Sequence, residues 1–597
     1  MNLLSARADD RHRLADHSAD GRMILLAAMA LVAGTGGACG AWALLRLIAL
    51  ATNLFWFGRF SAAPALITNA ALGLGTVVVP VAGGLMVGLM ARYGSDKIRG
   101  HGIPEAIEAI LYGESRLSLK VAILKPISSA ISIGSGGPFG AEGPIIMTGG
   151  AIGSLFAQCF HLSAAERKTL LVAGAAAGMT AIFNTPLAAV LLAIEVLLFE
   201  WKPRSFVPVV AAVLVAWGWR PLLIGYGAMF PFAGAAPAGA WPIAAALGIG
   251  LVSGLEAILL STLLYRIEDL FHRLPIHWMW WPAVGAAAVG IGGLIDAHVL
   301  GAGYASIQAL LDGSLAMRVA VALLLVKAVV WLVALGSGTS GGVLAPLLIL
   351  GGAAGCLIGH VLPGDAGFWA MIGMAGILSG AMRAPITGAL FAAEVTGHFT
   401  ALPLTLAAAG SAYAVSVLLM RRSILTEKIA RRGRHILQEY AVDPLDLVQA
   451  RQLMTPAPAT LPGAMPVAEA LAFFREHAKH RSYPVVDGEG RLLGLVSRTD
   501  ALRWQAGEQS TATLAETLAD ASQPFAYPES PSGVVADLIV ETGIGRVPII
   551  DPATRRVIGI LSRQDLLKAR SAHRAAETRR SRLIGSSTAE REATTSA

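Results

Sequence analysis

The chain has 597 residues, of which 55% are hydrophobic and 14% are charged, and its formal net charge is +7. Soluble globular proteins carry about 25% charged residues, so this composition excludes an ordinary soluble protein over most of the chain. The basic residues collect at the flanks of apolar runs, which argues against nucleic-acid binding, and the three cysteines have no paired spacing that would indicate a disulfide framework or a zinc site.

The first predicted elements are a flexible cytoplasmic N-terminus over residues 1–21 and a membrane domain over 22–420. A span needs about 20 apolar residues, and long runs of this kind lie at 23–45, 70–91, 206–217, 241–264, 316–335 and 401–420. Shorter runs are broken by Gly and Pro and are typical of helices that stop inside a membrane protein; they lie at 119–133, 144–159 and 344–359. Arginines flank both ends of the domain, which predicts a multi-pass protein in the lipid bilayer with cytoplasmic termini.

The membrane domain carries one pattern of Pro, Gly and Glu twice, with the same internal spacing. The two copies are Pro144 to Gly149-Gly150 with Pro186 to Glu195-Val196, and Pro346 to Gly351-Gly352 with Pro385 to Glu394-Val395. Two related halves, at about 22–222 and 241–420, predict a transport protein whose binding site lies where the halves meet.

Three Gly-rich loops in this domain run into helices that begin with proline. They lie at 100–105, 134–144 and 336–346. Backbone N–H groups at such helix starts attract anions without a full positive charge. Glu142 lies just before Gly143-Pro144, and an ionisable residue in an apolar region is a functional candidate. Its carboxylate could compete with a free anion and so act as a gate; the alternative is a simple helix cap.

These motifs resemble those of the CLC chloride channels and chloride/proton exchangers, of the prokaryotic type with a C-terminal pair of CBS domains. Gly100–Glu105 resembles the GSGIPE motif, Gly140–Pro144 the G(K/R)EGP motif and Gly342–Pro346 the GxFxP motif, and 423–433 resembles the segment after the last membrane helix. The resemblance implies an all-α inverted-repeat membrane domain of tilted, partly broken helices, followed by a cytoplasmic α/β CBS pair. It also implies a homodimer with one pore per subunit.

The resemblance further implies that chloride is the transported ion, that no cofactor is required and that the protein is not an enzyme. Glu142 corresponds to the external gating glutamate. The anion-binding positions implied by the match are His101, Gly102, Ile103, Gly143, Val343, Leu344 and Leu425.

Four positions depart from the family pattern. His101 replaces a serine, so its imidazole either donates to the anion or turns away from it. Leu425 replaces a coordinating tyrosine and has no donor. Ala141 replaces a basic residue, and Lys125 is expected to supply part of the positive field. Val196 replaces the inner proton-transfer glutamate and cannot relay a proton, which favours a passive channel.

Several alternatives stay open from the sequence. One is a proton-coupled chloride antiporter in which water or Glu195 replaces the missing carboxylate. However, Glu195 and Glu394 occupy matching places in the two halves, which favours a role in helix packing or capping. Transport of fluoride or another anion, and a CBS-regulated cation transporter, are weaker alternatives; the latter needs acidic clusters that this domain lacks.

The remainder of the chain predicts a linker over 421–450, a first CBS domain over 451–510, a second over 511–570 and a disordered tail over 571–597. Each CBS copy shows two short β-branched strands followed by a helix start. Adenine nucleotide binding would involve a hydroxyl and an aspartate in each copy; the alternative is a purely structural dimerisation module. The residues are Ser497 or Thr499 with Asp500, and Ser562 with Asp565.

Overall fold

The computed structural model describes residues 21–70, 73–434, 445, 448–506, 512–518 and 524–578. The predictions for residues 1–20 and 579–597 lie outside these residues. The chain divides into two compact units, one formed by His17–Tyr440 and one that contains Ala441–Ala597. Each is described by itself.

The first half of the larger unit is helical and ends before residue 225. Its helices are α1 (Arg22–Phe57), α2 (Gly75–Tyr93), α3 (Ile103–Tyr112), α4 (Leu119–Gly134), α5 (Glu142–Gln158), α6 (Ala164–Phe183), α7 (Pro186–Leu192) and α8 (Pro203–Leu223). A π-helical turn, Ala193–Leu198, continues α7. Local sequence sets several ends: Ser163 and Glu166 form a capping box at the start of α6, and Asn184 ends that helix in the left-handed conformation.

The second half repeats this pattern. Its helices are α9 (Trp241–His272), α10 (Trp281–Ile295), α11 (Tyr304–Leu311), α12 (Met317–Ala322), α13 (Ala328–Gly336), α14 (Leu344–Gly359), α15 (Ala366–Met382), α16 (Pro385–Thr396) and α17 (Leu402–Leu419), followed by the short α18 (Glu427–Arg431). A second π-helical turn, Leu323–Lys327, joins α12 to α13.

Glycines allow corresponding helices of the two halves to pack closely. In the first half a Cβ at Gly149 of α5 would collide with the carbonyl of Gly174 in α6. In the second half a Cβ at Gly351 of α14 would lie 2.6 Å from the carbonyl oxygen of Gly373 in α15. Small residues at such crossings let helix backbones approach closely inside a membrane, so the repeated Gly-Gly pairs fix the spacing of the broken helices.

Both long and short apolar helices occur in this unit, as the sequence predicts. Among the described residues, seven helices are long and apolar enough to cross a membrane, whereas Pro186–Leu198, Leu344–Gly359 and Ala366–Met382 are shorter. The long helices also expose large apolar side chains such as Leu214, Leu222 and Leu255. A protein that places such residues against lipid tails has this distribution, and the prediction of an all-α membrane domain is confirmed.

The smaller unit contains two copies of a small α/β motif. Its elements are α19 (Ala450–Leu453), β1 (Thr455–Pro456), β2 (Leu461–Pro462), α20 (Val467–Glu476), β3 (Ser482–Val486), β4 (Leu492–Ser497), α21 (Arg498–Ala506), α22 (Leu514–Leu518), α23 (Ser532–Thr542), β5 (Arg546–Ile550), β6 (Val557–Ser562) and α24 (Arg563–Thr578). The last helix extends into the range for which the sequence predicts disorder.

Each copy contributes one three-stranded sheet to the smaller unit. The strand orders are β2-β3-β4 and β1-β6-β5, and only β2 pairs with its neighbour in parallel. Apolar residues of β3 and β4, among them Val485 and Val496, pack in one core, and Val547 and Leu561 pack in the other. An antiparallel bridge between Arg491 and Arg556 joins the two hairpins.

Candidate anion site

The two halves of the membrane unit meet at a bridge between their Gly-rich loops. Gly140 and Gly342 pair in antiparallel fashion, and the N–H of Gly342 donates to the carbonyl of Gly140 over 3.0 Å. A Cβ at Gly342 would lie 2.6 Å from that carbonyl oxygen, so glycine is needed for the approach. The bridge brings the N-termini of α5 and α14 next to each other.

The carboxylate of Glu142 lies between these two helix starts. The side chain is fully buried, and neither oxygen has a hydrogen-bond partner among the described residues. The amides of Glu142 itself and of Ala345 approach it without the geometry of a full hydrogen bond. The position before the helix belongs to Ala141, and no side-chain cap is formed there.

The third loop reaches the same place from α3. Gly102 has a φ of +88°, and a Cβ there would lie 3.0 Å from the carbonyl oxygen of Gly143. A Cβ at Gly143 would in turn collide with the carbonyl of His101. The starts of α3, α5 and α14 therefore converge, at Ile103, Glu142 and Leu344. Their first amides have no intrahelical acceptor, and together they can hold a small anion.

His101 and Leu425 have the properties expected from their side chains. The imidazole of His101 is buried, and both ring nitrogens are without partners in the described part of the chain. Leu425 is buried, and the carbonyl of the preceding Ile424 accepts a hydrogen bond of 2.6 Å from the hydroxyl of Tyr265. Tyr265 is thus committed to the backbone and does not replace the tyrosine that Leu425 lacks. The imidazole, in contrast, is available as a donor.

Lys125 supports the first pore loop from within the protein. Its ammonium donates to the carbonyls of Ile98 and Gly100, at 2.8 and 2.7 Å, and the side chain is fully buried. A Cβ at Gly102 would lie 3.3 Å from its Cε. The charge is therefore located beside the loop at 98–102 and bound to its carbonyls.

Sequence reasoning missed the counterpart of this arrangement in the second half. Lys327 is buried and donates to the carbonyls of Val299 and Gly301, each at 3.3 Å. Lys327 lies within the apolar run at 316–335 of the sequence, and the structure gives its ammonium backbone acceptors. The signal was present in the sequence, because Gly301-Ala302-Gly303 repeats the Gly-x-Gly spacing of the first loop.

Tyr304, the first residue of α11, was also missed. The N–H of Ala141 donates to its hydroxyl oxygen over 3.2 Å, and the phenol lies close enough to Glu142 to interact electrostatically. Its ring packs on Phe183 and Phe230. Tyr304 therefore brings a hydroxyl group to Ala141, the position at which the sequence lacks a basic residue.

The two CBS-type motifs of the smaller unit have the same local geometry. The hydroxyl of Ser497 donates to Asp500 over 2.6 Å, and the hydroxyl of Ser562 donates to Asp565 over 2.6 Å. Each pair lies where a strand passes into a helix, and Thr499 is exposed beside the first pair. The hydrogen bonds hold each serine and aspartate together at the edge of the motif.

Comparison with known proteins assigns the family. The family described as voltage gated chloride channel matches residues 83–417, and the CBS domain family matches residues 450–507 and 521–572. The chain belongs to the CLC family. It is a multi-pass membrane protein of a family of anion channels and transporters.

Individual relatives are similar over the CLC domain. A ClcB-like chloride channel protein of Ralstonia nicotianae is 29% identical over 392 residues, which cover 64% of this chain and 91% of that protein. The voltage-gated ClC-type chloride channel ClcB of Shigella flexneri is 31% identical over 385 residues, which cover 62% of this chain and 90% of that protein.

Solved structures show the same fold. A slow cyanobacterial Cl⁻/H⁺ antiporter superposes with a TM-score of 0.60 at 22% sequence identity. The match covers 70% of this chain and 99% of the antiporter chain. A eukaryotic CLC transporter superposes with a TM-score of 0.58 at 20% sequence identity. The match covers 91% of this chain and 99% of the transporter chain.

Within the CLC domain, Val196 is buried in the π-helical turn that follows α7. The neighbouring Glu195 faces the other half of the protein, where its carboxylate accepts from the backbone N–H and the hydroxyl of Thr387, at 2.8 and 2.6 Å. Glu394 makes the reciprocal contacts to the N–H groups of Ala188 and Leu187, at 2.7 and 3.0 Å. Each glutamate therefore caps the Pro-led helix of the other half, in agreement with the capping interpretation of this pair.

The segment that leaves the CLC domain is held against α3 by ion pairs. Lys428 and Arg432 approach Glu105 at 2.8 and 3.4 Å, and Arg434 approaches Glu108 at 2.7 Å. Partial burial opposes the charged form of Arg432, but the two carboxylates outweigh it and raise the pKa of this guanidinium. The start of the linker is thereby fastened to the helix that carries the first pore loop.

Proposed function

We propose that this protein is a passive, gated chloride channel in which Glu142 is the gate. The observation that carries the proposal is the buried carboxylate of Glu142, which lies between the starts of α5 and α14 without a hydrogen-bond partner in the part of the chain that the structure describes. A chloride ion and this carboxylate would compete for the same amides. When the carboxylate moves away or takes up a proton, the ion can occupy the site.

The proposed anion site uses backbone amides and few charges. Its members are Ile103, Gly143, Val343 and Leu344 at the helix starts, together with Gly102 and the imidazole of His101 as a further donor. Conduction requires binding that is weak enough to release the ion. Lys125 adds a positive field from behind the loop while its ammonium donates its hydrogen bonds to backbone carbonyls. Leu425 gives the inner constriction an apolar surface.

Passive conduction is supported by the residues around position 196. Val196 has no proton to transfer, and Glu195 is engaged by three donor groups of α16, at 2.6, 2.8 and 3.4 Å. A carboxylate that holds a helix start cannot leave it at every transport cycle without undoing the cap. Both curated relatives named above carry the word channel in their descriptions, whereas the cyanobacterial neighbour is described as an antiporter.

The remaining parts of the proposal concern the assembly. We infer a homodimer with one pore per subunit in a bacterial inner membrane, with both termini in the cytoplasm. The domain limits are those predicted above, with the CLC domain over 22–420 and the CBS copies over 451–510 and 511–570. Adenine nucleotide would bind the CBS pair at Ser497 with Asp500 and at Ser562 with Asp565. Calorimetric titration of the full-length protein with ATP tests this last point, and no heat of binding at millimolar ATP would favour a structural module.

A flux assay in liposomes tests the channel proposal directly. Chloride efflux and proton uptake are recorded together from vesicles that contain the full-length protein, with a potassium ionophore to set the voltage. A channel gives chloride flux without coupled proton movement, and its reversal potential follows the chloride gradient alone. A reversal potential that shifts with an imposed pH gradient would instead establish proton-coupled exchange.

A further inference from the structure

A water-accessible cavity of about 400 Å³ leads to the first pore loop from the side of α18. His101 lies in its wall, with both ring nitrogens unpartnered among the described residues. Five basic residues also line the cavity: Arg99, His272, Lys428, Arg431 and Arg432. Asp96 and Glu268 are the acidic residues that line it.

Most of these cations are already bound to carboxylates. Lys428 and Arg432 pair with Glu105, at 2.8 and 3.4 Å, and Arg431 pairs with Asp269 at 2.5 Å. These charges therefore stabilise the protein and contribute little free field to the cavity, since each has its own counter-charge at contact distance.

Arg99 differs from its neighbours in the cavity wall. It forms no ion pair within 4.0 Å with any described carboxylate, and its Nε has no hydrogen-bond partner in the described ranges. Asp96 and Glu268 act on it only at longer range. Its guanidinium carbon lies 4.6 Å from the ring centre of Trp278 and 5.7 Å from that of Trp281. Stacking of this kind holds an arginine in place without using its N–H groups as donors.

Arg99 is also placed between the loops of both halves. It lies two residues before His101 in the chain, and its guanidinium packs on Gly338 in the loop that precedes α14. A Cβ at Gly338 would lie 2.8 Å from a terminal nitrogen of Arg99. The cation therefore lines the cavity together with Gly100 and His101 of the first loop and Gly338 of the loop that precedes α14.

We propose that Arg99 and the adjacent wall of this cavity form a loading site for chloride and similar monovalent anions, which binds the ion before it reaches His101. This inference rests on the proposed anion path and adds to it a residue that sets affinity on one side of the membrane. Arg99 is half-buried and lines a water-accessible cavity, so salt screens its charge and the ion can continue to the central site.

The test uses the full-length protein in planar lipid bilayers, with chloride varied on one side at a time. Arg99→Gln removes the charge, Arg99→Lys keeps it, and Arg92→Gln makes the same charge change at an exposed position of α2 outside the cavity wall. Arg99→Gln is expected to raise the half-saturating chloride concentration on the α18 side by about threefold to tenfold, near the low end of the effects of charge-lined clefts. Arg99→Lys should raise it less, and Arg92→Gln should not change it.

A measurement on the wild-type protein covers the case in which Arg99→Gln does not fold. Potassium gluconate added on the α18 side screens an accessible cation, so the half-saturating chloride concentration should rise there more than on the opposite side. Equal values for Arg99→Gln and wild type, or an equal gluconate effect on both sides, would overturn the loading site. Absence of any chloride flux through the wild-type protein would overturn the proposed function itself, whereas normal wild-type flux with an unaltered Arg99→Gln variant would overturn this inference alone.

Discussion

Replacing Glu142 by glutamine is the most direct perturbation of the gate. The side chain keeps its size but loses the charge that competes with chloride for the starts of α5 and α14. One helix N-terminus stabilises a negative charge by up to about 2 kcal/mol in partly buried geometry. Two of them therefore set an upper limit of about 4 kcal/mol on the interaction of the Glu142 carboxylate that competes with chloride. Because 1.4 kcal/mol corresponds to a factor of ten, loss of even a third of this interaction predicts about a tenfold gain in chloride flux at neutral pH.

The assay is chloride efflux from liposomes between pH 5 and pH 8. Protonation removes the same charge from the wild-type carboxylate, so wild-type flux should increase as the pH falls, and flux through Glu142→Gln should be high and nearly independent of pH. Glu114→Gln provides the control, because Glu114 is an exposed carboxylate in a surface ion pair with Arg116. Wild-type flux and an unchanged pH profile in a folded Glu142→Gln protein would refute the competition between carboxylate and anion.

Three further perturbations address the remainder of the site. His101→Ala should change the permeability ratios among chloride, nitrate and fluoride, measured from reversal potentials. The substitution removes a buried imidazole whose ring nitrogens have no hydrogen-bond partner among the described residues. Identical ratios would mean that the ring does not face the ion. Gly102→Ala should reduce chloride flux by at least tenfold, since a Cβ would lie 2.9 Å from Met147 Cγ on a backbone with φ of +88°, and flux equal to wild type would contradict the close approach of the loops. Glu195→Gln should lower thermal stability, with a loss of about 1.5–3 kcal/mol for a charge-assisted contact, and should leave the stoichiometry of chloride and proton movement unchanged; a changed stoichiometry would make Glu195 a proton carrier.

The sequence was sufficient to predict the parts of the site that depend on local geometry. Gly and Pro at fixed spacing identify the loops and helix starts around Gly102, Glu142 and Leu344, because few other residues allow a positive φ or begin a helix so well. The same reasoning predicted a capping role for Glu195 and Glu394. It did not indicate which helix each glutamate caps, since that depends on how the halves pack.

The residues that were missed depend on tertiary packing. Tyr304 begins a helix with no proline in its first turn, so its loop lacks the signal that identifies the other three. Lys327 lies within an apolar run of the sequence, and although Gly301-Ala302-Gly303 repeats the Gly-x-Gly spacing of the first loop, only the fold places the carbonyls of Val299 and Gly301 at its ammonium. Arg99 belongs to a cavity whose walls come from four separate stretches of the chain. Periodicity and spacing along the sequence do not show which distant segments come together in the fold.

The exchange of caps between Glu195 and Glu394 has a consequence for the autonomy of the two halves. In a half produced alone, the first amides of the Pro-led helix would have no carboxylate to accept their hydrogen bonds. The glutamate of that half would lie in an apolar surrounding without hydrogen-bond donors. Neither half is thus self-sufficient, although each contains a complete set of helices. A single-copy protein with this geometry could complete its structure only by pairing with an inverted copy of itself through the same reciprocal contacts, and a duplicated chain always has that partner at hand.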